Sequence, residues 1–436
     1  MKHTPSFKDF KNALCFLFQN SHASLLGALS SAFEWYDYAL FGYFTLLISQ
    51  QFFPSSDPFS ALLSSFAIFA SGFAMRPLGA ILFGYIGDRM GRQKALVLSL
   101  IMMAIPTVLL GLLPTYDMIG MGATIMLILI RLLQGLAVGG NYGGSFIYTI
   151  EQAPDPYKSL AGSLAMFGTL GGLLLGSGVA FLSNLLFTSE HLLSFGWRIP
   201  FLLGGFSVVV AHKIRKMDSS SEVSSLSTGS VDSHKKTPLP VTMVCKNYLA
   251  QVLKAIAIIL LDGVGVYILF VFMTTYATVF LKLPSEAVLF MNTLTMAGLV
   301  LVIPIFGYLG GIYKPQHILK GVALGFLGLS LPLFSWLVTS PSLLSLGCLQ
   351  GIFALLVGAA YGALPATIVS MFPSAIRYTA CGLAFNISVG VFGGTAPFIV
   401  TSLVHCTDSL FIPGILLTLV GACSFFALKA LKEFYP

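Results

Sequence analysis

Five ionisable side chains lie where an apolar chain should carry none: Glu34, Asp37, Arg76, Arg131 and Asp262 each sit inside a long, mostly apolar stretch. A charge near the centre of a bilayer costs about 2.5–3.5 kcal/mol even on insertion scales, so such residues are kept for a task. Glu34 and Asp37 are i and i+3 neighbours, which on a helix sets their Cβ atoms about 5–6 Å apart on one face. Two carboxylates that close in a low-dielectric site repel when both are ionised, so one of them takes up a proton, as a reversible proton carrier must. Arg76 and Arg131 supply the matching positive charge, either neutralising the acids or gripping the carboxylate of a bound molecule through two parallel hydrogen bonds. Asp262 stands apart, with Tyr267 and Tyr276 further along its segment. A purely structural charge network is the alternative to proton or carboxylate handling.

The elements that must position these groups are helices in lipid. The 436 residues are 56% hydrophobic and only 9% charged, too little charge to solvate a globular surface of that size. A helix needs about 20 mostly apolar residues to span the hydrocarbon, and such stretches run almost from end to end. The short alternating segments of a β-barrel are absent. Hydropathy and turn signals together predict an all-α integral membrane protein with about twelve spans, at 22–50, 59–86, 95–113, 119–149, 159–187, 194–212, 249–281, 286–311, 318–338, 342–371, 378–404 and 409–429. The sixth is cut short by His212 to Lys216. The N-terminus carries Lys2, Lys8 and Lys11 without a cleavage-site pattern, so the first span is expected to be retained.

Charge placement supports an even number of spans. Lys2 to Lys11, Arg89 to Lys94, Lys158, Lys213 to Lys246, Lys314, Arg377 and Lys429 to Lys432 all fall on one side, and the opposite loops hold little beyond Lys282 and Arg198. Positive loops stay inside, so both termini are expected to be cytoplasmic. The net charge of +7 therefore reports topology, and its dispersal gives no face for nucleic acid. The Ser-rich, charged stretch 213–247 cannot bury a core and reads as a cytoplasmic tether between two six-helix halves, 1–212 and 248–436. Cys15, Cys245, Cys348, Cys381, Cys406 and Cys423 form no metal-like spacing and read as packing residues.

The halves echo each other. Gly84-Tyr85-Ile86-Gly87 parallels Gly307-Tyr308-Leu309-Gly310, and Leu133-Gln134-Gly135 parallels Leu349-Gln350-Gly351. Pro154 precedes Lys158 by the same interval as Pro373 precedes Arg377. Both copies occupy the same membrane side, as in a parallel duplication. Between the second and third spans, Gly84-x-x-x-Asp88-Arg89-x-Gly91-Arg92-x-Lys94 resembles the cytoplasmic loop signature of the major facilitator superfamily. The resemblance implies that Asp88, Arg89 and Arg92 latch the halves together and release as the carrier changes its facing. Glycines permit the tight turn and close helix contact that this needs. The second copy, Gly311-Ile312-Tyr313-Lys314, lacks the acid, so the latch is expected to be asymmetric.

Further stretches resemble the metabolite:proton symporters within that superfamily: Phe33-Glu34-Trp35-Tyr36-Asp37-Tyr38, Arg76-Pro77-Leu78-Gly79, Arg131-Leu132-Leu133-Gln134-Gly135 and Gly196-Trp197-Arg198-Ile199-Pro200-Phe201. Met371-Phe372-Pro373, Ile376-Arg377-Tyr378 and Phe385-Asn386-Ile387-Ser388 look like the proline/betaine branch. The resemblance implies import of a small polar metabolite by proton symport and alternating access, across a bacterial inner membrane, with the proton as coupling ion and no bound cofactor or metal. Glu34 and Asp37 are then the expected proton-coupling residues. Tyr36, Arg76, Arg131, Asn141, Tyr142, Asp262, Tyr267 and Asn386 are the expected substrate contacts, aromatic faces suiting a quaternary ammonium or pyrrolidine. Where the family pattern reads Gly-Gly-Glu-Tyr, this chain has Gly139-Gly140-Asn141-Tyr142, and Asn141 cannot carry a proton.

Other classes fit less well. There is no Gly-x-x-x-x-Gly-Lys-Ser/Thr loop for an ATP-driven pump, and the histidines lack the spacing of a membrane enzyme's metal or acid–base site. A channel gives no reason for duplicated halves with a latch loop. The implied partners are the lipid bilayer and a small-molecule substrate, with a monomer sufficient. A proline- or betaine-like zwitterion is favoured by the second-half motifs, while two arginines equally suit a dicarboxylate such as 2-oxoglutarate or citrate.

Overall fold

The structure, a computed structural model, describes residues 21–53, 58–76, 78–79, 82, 92–139, 146–147, 150, 153, 157–206, 240–373 and 376–431, and no strand occurs among them. Helical segments occur at each of the predicted spans. They are α1 (Ser21–Tyr43), α2 (Pro58–Ala74), α3 (Arg92–Leu112), α4 (Met121–Val138), α5 (Lys158–Leu186), α6 (Arg198–Leu203), α7 (Leu249–Phe280), α8 (Ser285–Ile312), α9 (Pro315–Thr339), α10 (Leu343–Ser370), α11 (Thr379–Thr407) and α12 (Ile412–Lys429). Among the described residues, eight of these, α4, α5 and α7–α12, are long and apolar enough to cross a membrane. Leu129, Leu186, Leu301, Leu344 and Phe426 expose their side chains on the outside, as lipid-facing residues do. The charged side chains Glu34, Asp37, Arg76, Arg131 and Asp262 are instead buried in the interior.

Helix α5 packs along α1 on one side and α8 on the other, α8 continues against α10, and α9 and α7 both lean on α12. Small residues set these approaches. A Cβ at Gly135 of α4 would land on the carbonyl oxygen of Gly72 in α2, and one at Gly172 of α5 on that of Ala32 in α1. Gly135→Val is therefore expected to force α2 and α4 apart and to destabilise the protein by about 1–3 kcal/mol, the cost of overpacking. Gly171→Ala, whose added carbon meets nothing within 4 Å, serves as the control in thermal unfolding of the detergent-solubilised protein.

Two features differ from the sequence reading. The tether expected over 213–247 does not extend to its end: Pro240–Asn247 is a helix with Val244 fully buried, packed against Arg377–Phe385. Met243 and Val244 give this segment an apolar face to bury, which the Ser-rich part before it lacks. Of the cysteines, Cys381 is buried as a packing residue, whereas Cys406 and Cys423 are exposed on the outer surface. Helices α7 and α11 also widen locally into π-helical turns, at Tyr267–Phe272 and Tyr276–Phe280 in α7 and at Asn386–Gly393 in α11. Such turns re-aim side chains and concentrate at functional sites.

Candidate functional site

Asp37, on α1, is held by two neighbouring helices. Thr107 of α3 donates to its Oδ1 at 2.8 Å, and Gln134 of α4 donates to its Oδ2 at 2.8 Å. The Arg131 guanidinium reaches the same Oδ2 at 3.5 Å and donates to Gln134 Oε1 at 2.8 Å. Arg131 and Asp37 are 0% and 2% exposed, and the guanidinium also lies 4.2 Å from the Phe41 ring centroid and 5.0 Å from that of Tyr38. The spacing of Arg131 and Gln134, i and i+3, is what presents both to one carboxylate. Asp37 is thus supplied with a counter-charge and two further donors.

Arg76 is surrounded differently. Its guanidinium carbon sits 4.3 Å from the ring centroid of Phe73, 4.8 Å from Tyr38 and 5.8 Å from Trp35. The side chain is 0% exposed, no carboxylate among the described residues lies within ion-pair distance, and its guanidinium nitrogens have no carboxylate or carbonyl acceptor among them, the Tyr38 hydroxyl being a group that bears on them. Glu34 and Tyr267 are near enough for their charges to bear on it. Glu34 and Asp37 therefore do not share one site, as their spacing suggested: Asp37 turns to Arg131, and the field of Glu34 acts on Arg76, Tyr38 and Tyr267. Aromatic faces stabilise a buried guanidinium through their quadrupoles while leaving its edge of N–H donors open to a planar acceptor.

The Arg76 group is completed from α7 and α11. The Tyr267 ring packs edge-on against Phe73 at 5.5 Å and lies tilted against Trp35 at 6.1 Å. Arg76 Cδ packs against Gly390, where an added Cβ would stand in ordinary contact at 3.5 Å, in the π-helical turn that Asn386 opens. Asn386 donates to the Gly382 carbonyl at 2.9 Å, while its Oδ1 is buried without a partner. Asp262 lies one helical turn before Tyr267 and accepts a short hydrogen bond from Tyr361 of α10. Tyr36 is not part of this group: its hydroxyl donates to the Pro200 carbonyl of α6 at 2.9 Å. Asn141, Tyr142, Asp88 and Arg89 lie outside the described residues; Arg92 opens α3, and nothing is described of its side chain.

Sequence reasoning missed several participants. Trp35 and Tyr38 lie inside the quoted 33–38 motif, and Gln134 inside 131–135, so the motifs held the signal; Thr107 and Phe73 carry none. Nor was there warning of a second buried network between α1, α5, α8 and α10. Asn292 donates to Tyr43 at 3.2 Å and to Ser177 at 3.1 Å, accepts from Gln350 at 2.8 Å, and Ser177 bonds Thr293 at 2.7 Å. At the far end of the same α5–α8 seam, Ser159 donates to the Gly362 carbonyl of α10 at 3.0 Å.

The fold is shared with solved transporters. A D-xylose-proton symporter superposes with a TM-score of 0.68 at 17% identity, over 95% of this chain and 98% of that one. A partially occluded, inward-open xylose transporter from E. coli gives 0.68 at 15% identity, over 94% and 97%. The helices thus form a multi-pass membrane protein with the major facilitator fold. Residues 23–212 match the family described as Sugar (and other) transporter. The chain is 32% identical over 416 residues to the glycine betaine/proline/ectoine/pipecolic acid transporter OusA of Dickeya dadantii (strain 3937), covering 93% of this chain and 82% of that protein. It is 31% identical over 415 residues to the proline/betaine transporter of Escherichia coli (strain K12), with the same coverage. The chain belongs to the metabolite:proton symporter family of the major facilitator superfamily, on the branch of the proline/betaine transporters.

Proposed function

We propose that this transporter imports a proline- or betaine-like zwitterion by proton symport and alternating access. The observation that carries the reading is the Arg76 guanidinium, buried, ringed by Trp35, Tyr38 and Phe73, with no carboxylate among the described residues paired to its N–H edge. A substrate carboxylate meets that edge, and the cationic end of the molecule lies against the neighbouring aromatic faces, with Tyr267 and Asn386 closing the site from α7 and α11. The second arginine does not favour a dicarboxylate such as 2-oxoglutarate or citrate, because Arg131 is already engaged by Asp37 and Gln134. One uncommitted guanidinium matches one carboxylate.

In this mechanism the halves 1–212 and 248–436, joined by 213–247, rock about the central site, with both termini cytoplasmic in a bacterial inner membrane. Asp88, Arg89 and Arg92 form the cytoplasmic latch. Proton uptake by Asp37 loosens its hold on Arg131 and so links the proton to rearrangement of α1, α3 and α4, with Glu34 as the adjoining acid. No cofactor takes part, and a monomer suffices.

The test is uptake of labelled proline, betaine and 2-oxoglutarate into proteoliposomes, with and without an inward proton gradient. Accumulation of proline or betaine above equilibrium, only with the gradient, is the expected result. Accumulation of 2-oxoglutarate instead overturns the substrate assignment, and uptake that merely equilibrates under every gradient overturns the symport.

A further inference from the structure

Asp262 is surrounded differently from Asp37. It is 1% exposed, accepts one hydrogen bond from the Tyr361 hydroxyl on its Oδ1, and its Oδ2 has no partner. No cation among the described residues lies within ion-pair distance. The elements packed on this part of α7 do not supply one: α10 offers Tyr361, α11 offers Asn386, Ser388 and the buried Cys381, and α12 offers Ser424, whose hydroxyl donates to the Ala257 carbonyl at 2.6 Å. The nearest basic residue of α7 itself, Lys254, donates to the Ala430 carbonyl at the helix's far end. Tyr267 is close enough to Asp262 and to Arg76 to feel the charge of both.

An isolated carboxylate withdrawn from water costs far more than a neutral acid, so a buried acid with no counter-charge is held in its protonated form. Asp37, by contrast, has an arginine and two donors and is suited to be an anion. We infer that Asp262, oriented by Tyr361, is a second proton-carrying site of the transporter, placed on α7 and α10 apart from the Asp37–Arg131 pair. Oδ2 accepts a proton from water when the core opens outward and returns it to cytoplasmic water when the core opens inward. Tyr361 keeps its own proton and donates to Oδ1 throughout. On loading, an O–H bond of hydronium breaks as the one at Oδ2 forms; on release the Oδ2–H bond breaks and hydronium is formed again. The π-helical turn that begins at Tyr267 places an adjustable element one turn away, where a change of facing can alter the exposure of Oδ2.

The inference rests on the proton-symport reading, and its test separates the two. Infrared spectroscopy of the purified protein at neutral pH needs no substrate: the carbonyl stretch of a protonated carboxylic acid is expected in the wild type and absent from Asp262→Asn. Asn mimics the neutral acid in size and charge, so this variant is expected to fold. In proteoliposomes the proton-to-substrate ratio, read from the pH gradient that just holds a substrate gradient in balance, is expected to fall by one in Asp262→Asn. Tyr361→Phe is expected to keep the infrared band, shifted by loss of its hydrogen bond, and to slow gradient-driven uptake with counterflow preserved. An unchanged band or an unchanged ratio in Asp262→Asn overturns the assignment. So does loss of counterflow together with uptake in a folded Asp262→Asn, which would make Asp262 a contact to the substrate's cationic end. If the wild type moves no substrate with protons while the infrared band still depends on Asp262, symport fails and the protonated site stands.

Discussion

Replacing Asp37 with Asn is expected to destabilise the detergent-solubilised protein by about 3 kcal/mol and to abolish gradient-driven accumulation. Removing one partner of a buried ion pair costs about 3–5 kcal/mol, because the survivor is left as an uncompensated buried charge. The survivor is Arg131, 0% exposed. The lower end of the range applies here because the pair is long, at 3.5 Å, and Gln134 Oε1 and the Phe41 ring remain beside the guanidinium. The amide also brings a donor where Gln134 Nε2 or Thr107 Oγ1 now donates, so either the Thr107 hydroxyl turns from donor to acceptor or the Gln134 hydrogen bond is lost. Adding Arg131→Met should restore most of the stability, since an apolar side chain of similar length removes the orphaned charge, but should not restore accumulation. Chemical unfolding in micelles reads the first effect and proteoliposome uptake the second. A single variant as stable as the wild type would show that the pair contributes nothing to the fold, and a double variant no more stable than the single one would show that the loss has another origin.

How much of this was legible in the sequence varies with the kind of evidence. Helices in lipid are announced by length and apolarity alone, so α4, α5 and α7–α12 emerge where hydropathy placed them. The buried charges were equally plain, since each stands out against an apolar background. Their pairing was not. The i, i+3 spacing of Glu34 and Asp37 fixes where their Cβ atoms sit but not which neighbouring helix captures each carboxylate. Thr107, Arg131 and Gln134 on α3 and α4 take Asp37, and the Arg76 group takes the field of Glu34. Thr107 has no sequence signature, because a threonine in an apolar helix usually returns its hydroxyl to a carbonyl four residues back, as this one also does to Met103 at 3.0 Å. Tyr36 shows the reverse error. It shares the motif with Trp35 and Asp37, yet successive residues on a helix point about 100° apart, and its hydroxyl ends on Pro200. The polar cluster around Asn292 was hidden for a further reason: its members come from four helices remote in sequence, and each alone is a neutral residue that a membrane helix tolerates.

The largest functional effect is expected at Arg76, and with it a gain in stability. Arg76→Met should weaken binding of proline or betaine by about 100-fold or more, which is two steps of about 1.4 kcal/mol each. That is the size of a charge-assisted, two-point contact to a carboxylate. The same change should raise the unfolding midpoint of the ligand-free protein, because replacing a buried charge by an apolar side chain of similar volume often stabilises by about 1–4 kcal/mol. The opposed signs follow from the setting. Three aromatic rings offset part of the cost of burying the guanidinium, at 4.3, 4.8 and 5.8 Å, but among the described residues it has no carboxylate partner. Arg76→Lys separates charge from shape: the ammonium keeps the attraction for a carboxylate but loses the flat face that lies over Phe73 and Tyr38, so binding should fall by less than in Arg76→Met. Calorimetric titration with proline and betaine, beside thermal unfolding without them, measures both halves of the expectation. Should Arg76→Met bind as tightly as the wild type, the substrate carboxylate lies elsewhere; should it bind weakly and also unfold earlier, Arg76 is a structural residue whose loss disturbs the site indirectly.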